Sequence, residues 1–301
     1  MSQTSKIEIH SFDSLTLTNR QFLMGAKNGT PARISGALRL PNGNERVPAV
    51  LLVHGSAGIG ANVDAWAREF NGIGVAAFLL DCFTGRGIVQ TITDRSQLGH
   101  LAMIVDVYRA LELLSKHARI DASRIAVMGF SKGGFAALYS NLKRFQQMHG
   151  PGETKFAAHI AFYAPCNTGY IGDEEVSDCP ILLFHGTADN YVSIEPCRSY
   201  VERLRRIGKN VQLTEFQGAQ HVFDNPLYTP PFVLPDAVTT SRCLLEERAD
   251  GEIVNVATGK PFSPSDACVS RGATLGYDAA ATDEATRAVR AFVAATFRLG
   301  A

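Results

Sequence analysis

Neither sign of charge dominates this 301-residue chain: 29 Asp and Glu stand against 29 Lys and Arg. No global field therefore draws in nucleic acid or an anionic membrane, and no nucleic-acid or membrane partner is expected. Long hydrophobic runs are missing as well. The longest, residues 47–53, is interrupted by Pro48 and falls far short of the ~20 apolar residues of a membrane helix. Residues 1–9 mix Ser, Gln, Thr, Lys and Glu without the apolar stretch of a secretion leader, which gives a cytoplasmic expectation. Cysteine is sparse: the six do not make a disulfide scaffold, and none stands in a C-x-x-C pair suited to zinc or redox chemistry. They read as buried free thiols, with Cys243 and Cys268, flanking a loop-rich segment, the one pair worth testing as a bridge. Neither G-x-x-x-x-G-K-[ST] nor H-E-x-x-H occurs, and Gly72-Ile73-Gly74 precedes a strand, as a helix end would, instead of following one. No cofactor and no metal is expected.

What the chain does contain is a globular composition, 46% hydrophobic and 19% charged, which excludes disorder. Residues 32–40 alternate apolar and polar, a turn follows at Pro41-Asn42-Gly43-Asn44, and residues 49–53 make a second strand, expected antiparallel to the first. Beyond that point, continuous apolar runs of strand length at residues 75–80, 125–128, 159–163 and 181–184 suit a buried sheet. Ile104, Val107, Tyr108, Leu111 and Leu114 fall at helical spacing between the first two runs. Tyr200, Leu204 and Ile207 mark another helix, residues 211–216 a last strand, and Val289, Phe292, Val293 and Phe297 a closing helix. Alternating strands and helices predict an α/β fold, a mostly parallel central sheet covered on both faces, built as one domain over residues 1–301. Residues 225–280, rich in Pro, Gly, Ser and Thr with one strand pair near Ile253, read as a loop-rich insertion.

The most informative stretch is Gly129-Phe130-Ser131-Lys132-Gly133, a G-x-S-x-G between an apolar strand and a helical pattern. A strand that turns abruptly into a helix strains Ser131 and lifts its hydroxyl from the sheet edge, and small flanking residues let the two segments approach. The Lys132 N–H then opens a helix, where it is free to donate to a developing oxyanion, whereas its side chain reads as a solvated charge. Serine needs a base, and the base an orienting acid. His221, in the loop after the last strand, is the candidate base. His54 and His185, each followed by Gly, read as braces of tight turns, and the other histidines as surface or structural ones. Asp189, in the turn after the 181–184 strand, is the candidate acid, while Asp173, Glu174, Glu175 and Asp178 read as a solvated charge run. The order Ser131, Asp189, His221 is the order α/β-hydrolases use. A second oxyanion donor is expected from His54-Gly55-Ser56-Ala57-Gly58, with the Ser56 N–H first and Ala57 second.

These blocks, together with Asp81-Cys82-Phe83-Thr84-Gly85-Arg86, His185-Gly186-Thr187-Ala188-Asp189 and Gln220-His221-Val222-Phe223, resemble the dienelactone hydrolase family of α/β-hydrolases. The resemblance runs from about residue 34 to residue 223 and adds the last helix. It implies the α/β-hydrolase fold, and it matches Arg86 to an arginine that family members use to hold a substrate carboxylate. Two departures stand out: Ser131 replaces the cysteine nucleophile of members that open dienelactones, and Gly55 stands where such enzymes place a glutamate. Ester hydrolysis is expected, with dienelactone itself not the expected substrate.

The reading is thus a metal-independent hydrolase of carboxylic esters or lactones, acting on a small molecule through Ser131, His221 and Asp189 and an acyl-enzyme. A peptidase or acyltransferase of the same fold and a non-catalytic binder are the alternatives. Residues 225–280 begin just after His221 and are expected to border the pocket.

Overall fold

The computed structural model describes residues 4–300; residues 1–3 and 301, which end the span expected to form one domain and begin the stretch read for a leader, lie outside it. In chain order the elements are β1 (Thr4–Thr16), α1 (Asn19–Leu23), β2 (Thr30–Pro41), β3 (Val47–Val53), α2 (Ala61–Gly72), β4 (Ala76–Asp81), α3 (His100–Ser115), β5 (Ile120–Phe130), α4 (Lys132–Tyr139), α5 (Lys143–His149), β6 (Ala158–Phe162), β7 (Thr168–Gly169), β8 (Ile181–Gly186), α6 (Glu195–Arg206), β9 (Val211–Phe216), β10 (Phe232–Thr239), β11 (Leu245–Glu247), β12 (Ile253–Asn255), β13 (Ser270–Leu275) and α7 (Ala279–Phe297). Among the described residues, no helix is long and apolar enough to cross a membrane.

Eight strands form one sheet in the order β1-β2-β4-β3-β5-β6-β8-β9. From β4 to β9 in that order the neighbours run parallel, and β1 and β2 close one edge antiparallel. The expected β2–β3 pairing does not form, because β4 lies between them. Burial accounts for the difference. In β3 every residue after Val47 is buried, as suits a central parallel strand, whereas β2 is buried at alternate positions and suits a place near the edge.

Alternation along each central strand feeds two cores. Leu51, Val53 and Val127 face a layer built from α3, α4, α5 and α6. Val50, Leu52, Ala126 and Met128 face the opposite layer, formed by Val63, Trp66 and Phe70 of α2 and Val289, Val293 and Phe297 of α7. The connection from β3 leads to β4 on one side, and the chain then crosses back to β5 on the other. The carboxyl ends of β3 and β5 therefore border a crevice where the strand order reverses, the place where open α/β sheets bind ligands.

Residues 225–280 hold more structure than one strand pair: β10 pairs with β13, and β11 pairs with β12 and with β7. Cys243 and Cys268 are bridged within this segment, as the pair singled out from sequence. The free-thiol reading fails for Cys166 and Cys197, which form a second disulfide. Since β6 and β8 are neighbours, the loop leaving β6 meets the helix that follows β8, and residues far apart in sequence come within 5.0 Å between Cα atoms. Cys82 and Cys179 remain free.

Candidate active site

Ser131 sits between β5 and α4 with φ 52° and ψ −114°, a left-handed conformation that a residue with a side chain adopts only where its surroundings impose it. The flanking glycines supply that constraint. A Cβ on Gly129 would lie 2.0 Å from the Gly133 carbonyl oxygen, and one on Gly133 would lie 2.1 Å from that of Val53. Strand and helix thus pack backbone to backbone, and the serine hydroxyl stands clear of the sheet edge.

His221 Nε2 lies 3.0 Å from Ser131 Oγ, and Asp189 Oδ2 accepts from His221 Nδ1 at 2.7 Å. The three expected residues are brought together, with the imidazole in the tautomer that leaves Nε2 free to take a proton. Asp189 is buried, and its Oδ1 accepts from the N–H groups of Tyr191 and Val192. Burial by itself would push this carboxyl up, but His221 and His185 beside it together hold it well below the ordinary carboxylate range. His185 braces the same turn through Nε2, 2.9 Å from the Val192 carbonyl oxygen.

His54 is likewise a brace. Its Nε2 accepts from the Cys82 N–H, so Nδ1 carries the hydrogen and donates to the Gly55 carbonyl at 2.8 Å. Burial lowers its proton affinity and keeps the ring neutral. The turn so fixed presents Ser56 to a cavity of about 570 Å³ that Ser131 and Lys132 also line. The Lys132 N–H occupies the first position of α4, where a helix offers it no acceptor. Ser131, Ser56 and Lys132 thus line one cavity, with His221 and Asp189 hydrogen-bonded in line behind the serine.

Three expectations need correction. Arg86 does not reach the cavity. Its guanidinium is paired on two edges with Asp106, at 2.7 and 2.9 Å, and Nε donates to Thr16 Oγ1 at 2.7 Å. Asp106 on α3 is fully buried, and an unpaired charge there would be costly, so the arginine turns inward to it. The Lys132 side chain is not solvated: the residue is 2% exposed. Within the charge run, Asp173 is buried and paired with Arg203 at 2.8 Å.

Sequence reasoning missed Arg95, which follows Asp94 ahead of α3. Asp94 does cap, accepting from the Ser96 N–H, but Arg95 lines the cavity with its guanidinium 5.4 Å from the centre of the Tyr191 ring. Its buried Nε has no hydrogen-bond partner among the described residues. Among the described residues, the group at metal-binding spacing is Glu8, His10 and His117, toward the opposite end of β5 from Ser131. His117 Nδ1 accepts the Arg119 N–H, so Nε2 carries the proton that Glu8 accepts at 2.9 Å. That nitrogen has no lone pair left for a metal.

A family profile described as the dienelactone hydrolase family matches residues 34–250. Over 194 residues, 59% of this chain and 74% of the relative, the sequence is 23% identical to a probable 2-oxo-3-(5-oxofuran-2-ylidene)propanoate lactonase of Bradyrhizobium sp.. A dienelactone hydrolase-like promiscuous phosphotriesterase from metagenomic libraries superposes with a TM-score of 0.58 at 17% identity, covering 96% of this chain and 99% of that one. An esterase of Thermogutta terrifontis superposes with a TM-score of 0.51 at 21% identity, over 65% of this chain and 83% of that one.

Proposed function

The chain belongs to the dienelactone hydrolase family, a hydrolase of ester or lactone bonds with the α/β-hydrolase fold, and we propose that it works through Ser131, His221 and Asp189 by way of an acyl-enzyme. The observation that carries this reading is the unbroken chain of two hydrogen bonds from Asp189 through His221 to a serine held at φ 52°. His221 takes the Ser131 proton as Oγ attacks the ester carbonyl. Asp189 keeps the imidazole in its acceptor tautomer and offsets the imidazolium charge, without itself taking the proton. The N–H groups of Ser56 and Lys132 face the tetrahedral oxygen, His221 returns the proton to the leaving alcohol, and water clears the acyl group by the same base.

The cavity wall favours an ester or lactone that carries a negative group. Arg95 lines it, and its Nε has no hydrogen-bond partner among the described residues, whereas Arg20 is paired with Asp250 and Lys132 donates to the Leu98 carbonyl. Residues 240–264 supply much of the wall, Leu245, Ile253 and Phe262 among them, and so limit which substrates fit.

Turnover of p-nitrophenyl acetate and p-nitrophenyl butyrate tests the reading. Ser131→Ala is expected to abolish it, and the natural chain to show an acyl adduct on Ser131 when quenched early. Turnover that survives in Ser131→Ala would rule the proposed route out.

A further inference from the structure

The residue that follows the candidate nucleophile does more than lend its N–H. Lys132 buries its whole side chain, and Nζ donates to the Leu98 carbonyl and, at 3.4 Å, faces Thr91 Oγ1. Among the described residues it has no carboxylate partner within ion-pair distance. The ionisable groups around it are Arg95 before α3, His100 at the start of α3, His54 after β3 and Cys82 after β4. None of them is an acid of the carboxylate kind. Burial lowers its ammonium to about 7, and Arg95 adds repulsion. A buried cation without a counter-charge costs stability, and an apolar side chain of similar length would cost less.

What the ammonium holds is the segment between β4 and α3. Thr91 is fully buried, and its N–H donates to the Ser56 carbonyl at 2.8 Å. Ser56 and Lys132 both line the cavity, and their N–H groups are the oxyanion donors of the reading above. Their backbones come from different strands, β3 and β5, and Thr91 joins them a second time, by its backbone to Ser56 and by its hydroxyl to the Lys132 side chain.

We propose that the Lys132 side chain, acting through Thr91 and Leu98, fixes the spacing of the Ser56 and Lys132 N–H groups and is thereby a positioning residue for the transition state. This inference rests on the serine-hydrolase reading given above. An oxyanion hole works only if both donors stand ~2.7–3.1 Å from where the charge will develop, and a displacement of ~1 Å costs up to ~100-fold in rate. Substrate in the ground state has no such requirement, so the effect belongs in kcat and not in KM.

Lys132→Met tests it, read by kcat and KM for p-nitrophenyl acetate, by thermal midpoint, and by final fluorophosphonate labelling of Ser131. The expected result is a kcat lower by about 10- to 100-fold, an unchanged KM, an unchanged or raised midpoint and full labelling reached more slowly. Thr91→Val is expected to move kcat the same way, with Thr91→Ser restoring it, and it supplies the test should Lys132→Met fail to fold. A kcat within about twofold of the natural chain, with Ser131 fully labelled, overturns the positioning role and leaves the triad standing. A kcat that falls only in step with the midpoint, with Thr91→Val unaffected, overturns it as well. Activity that survives Ser131→Ala would instead remove the reading beneath it.

Discussion

Two imidazoles keep the Asp189 carboxylate ionised, so it does not titrate across the working pH range. Asp189→Asn retains the shape but offers His221 the wrong partner, and kcat is expected to fall about 10⁴-fold with little change in secondary structure by circular dichroism. Lys132 makes a stability prediction with a definite sign. Its folded value is lowered to about 7 from 10.5, so between those limits the unfolded chain binds more protons and stability rises with pH. Lys132→Met removes that slope: its advantage in urea midpoint is largest near about pH 6 and shrinks toward about pH 10. An advantage that grows with pH would contradict the account. Arg95→Gln is expected to raise KM by about 10-fold for an ester bearing a carboxylate, and less for a neutral one, in parallel steady-state assays. Ser131, Asp189 and His221 were legible because each follows its strand within a few residues, in a local pattern of turn residues. Arg86 and Lys132 were not, because their partners lie on another element: Asp106 on α3 and Leu98 just before it.

Between elements, hydrogen bonds that sequence does not reveal hold the His221 loop. Asp224, three residues on and buried, accepts from Tyr163 Oη at 2.7 Å and Trp66 Nε1 at 3.0 Å, while the Tyr163 ring packs 4.6 Å from that of His221. Asp224→Ala leaves two buried donors unpaired, and a loss of about 3 kcal/mol in unfolding free energy is expected from urea titration. The strands β4, β5, β6, β8 and β9 and the helices α3, α6 and α7 were readable, because apolar runs and helical stripes are properties of single elements, whereas α5 and β7 were not. β1 was not anticipated: Lys6, Glu8 and His10 alternate as polar residues, and the strand is defined only by its pairing with β2. Nor could sequence show that β4 would lie between β2 and β3. The 225–280 segment was visible as a departure in composition and by its place after His221 as a wall of the pocket, but its pairing with β7 depends on contacts across the fold. Filling that wall by Ile253→Trp is expected to depress turnover of p-nitrophenyl butyrate more than of the acetate.

At the scale of the whole molecule, the sheet brings the carboxyl ends of β3, β5, β8 and β9 to one edge, so that residues after β3, β5 and β8 line one cavity and His221 after β9 reaches Ser131. The disulfides lie on that side too: Cys166 lines the cavity, and Cys243–Cys268 closes the segment that walls it. Disulfides persist in oxidising surroundings, which sets these two bridges against the cytoplasmic expectation drawn from residues 1–9. The central claim concerns one atom, Ser131 Oγ, activated by the whole arrangement. Intact-mass labelling with a fluorophosphonate, comparing the natural chain with Ser131→Ala, reads that atom without any choice of substrate. The account predicts one adduct per chain, mapped to Ser131 and absent from the variant; a folded natural chain that takes no adduct, or takes it elsewhere, would contradict it.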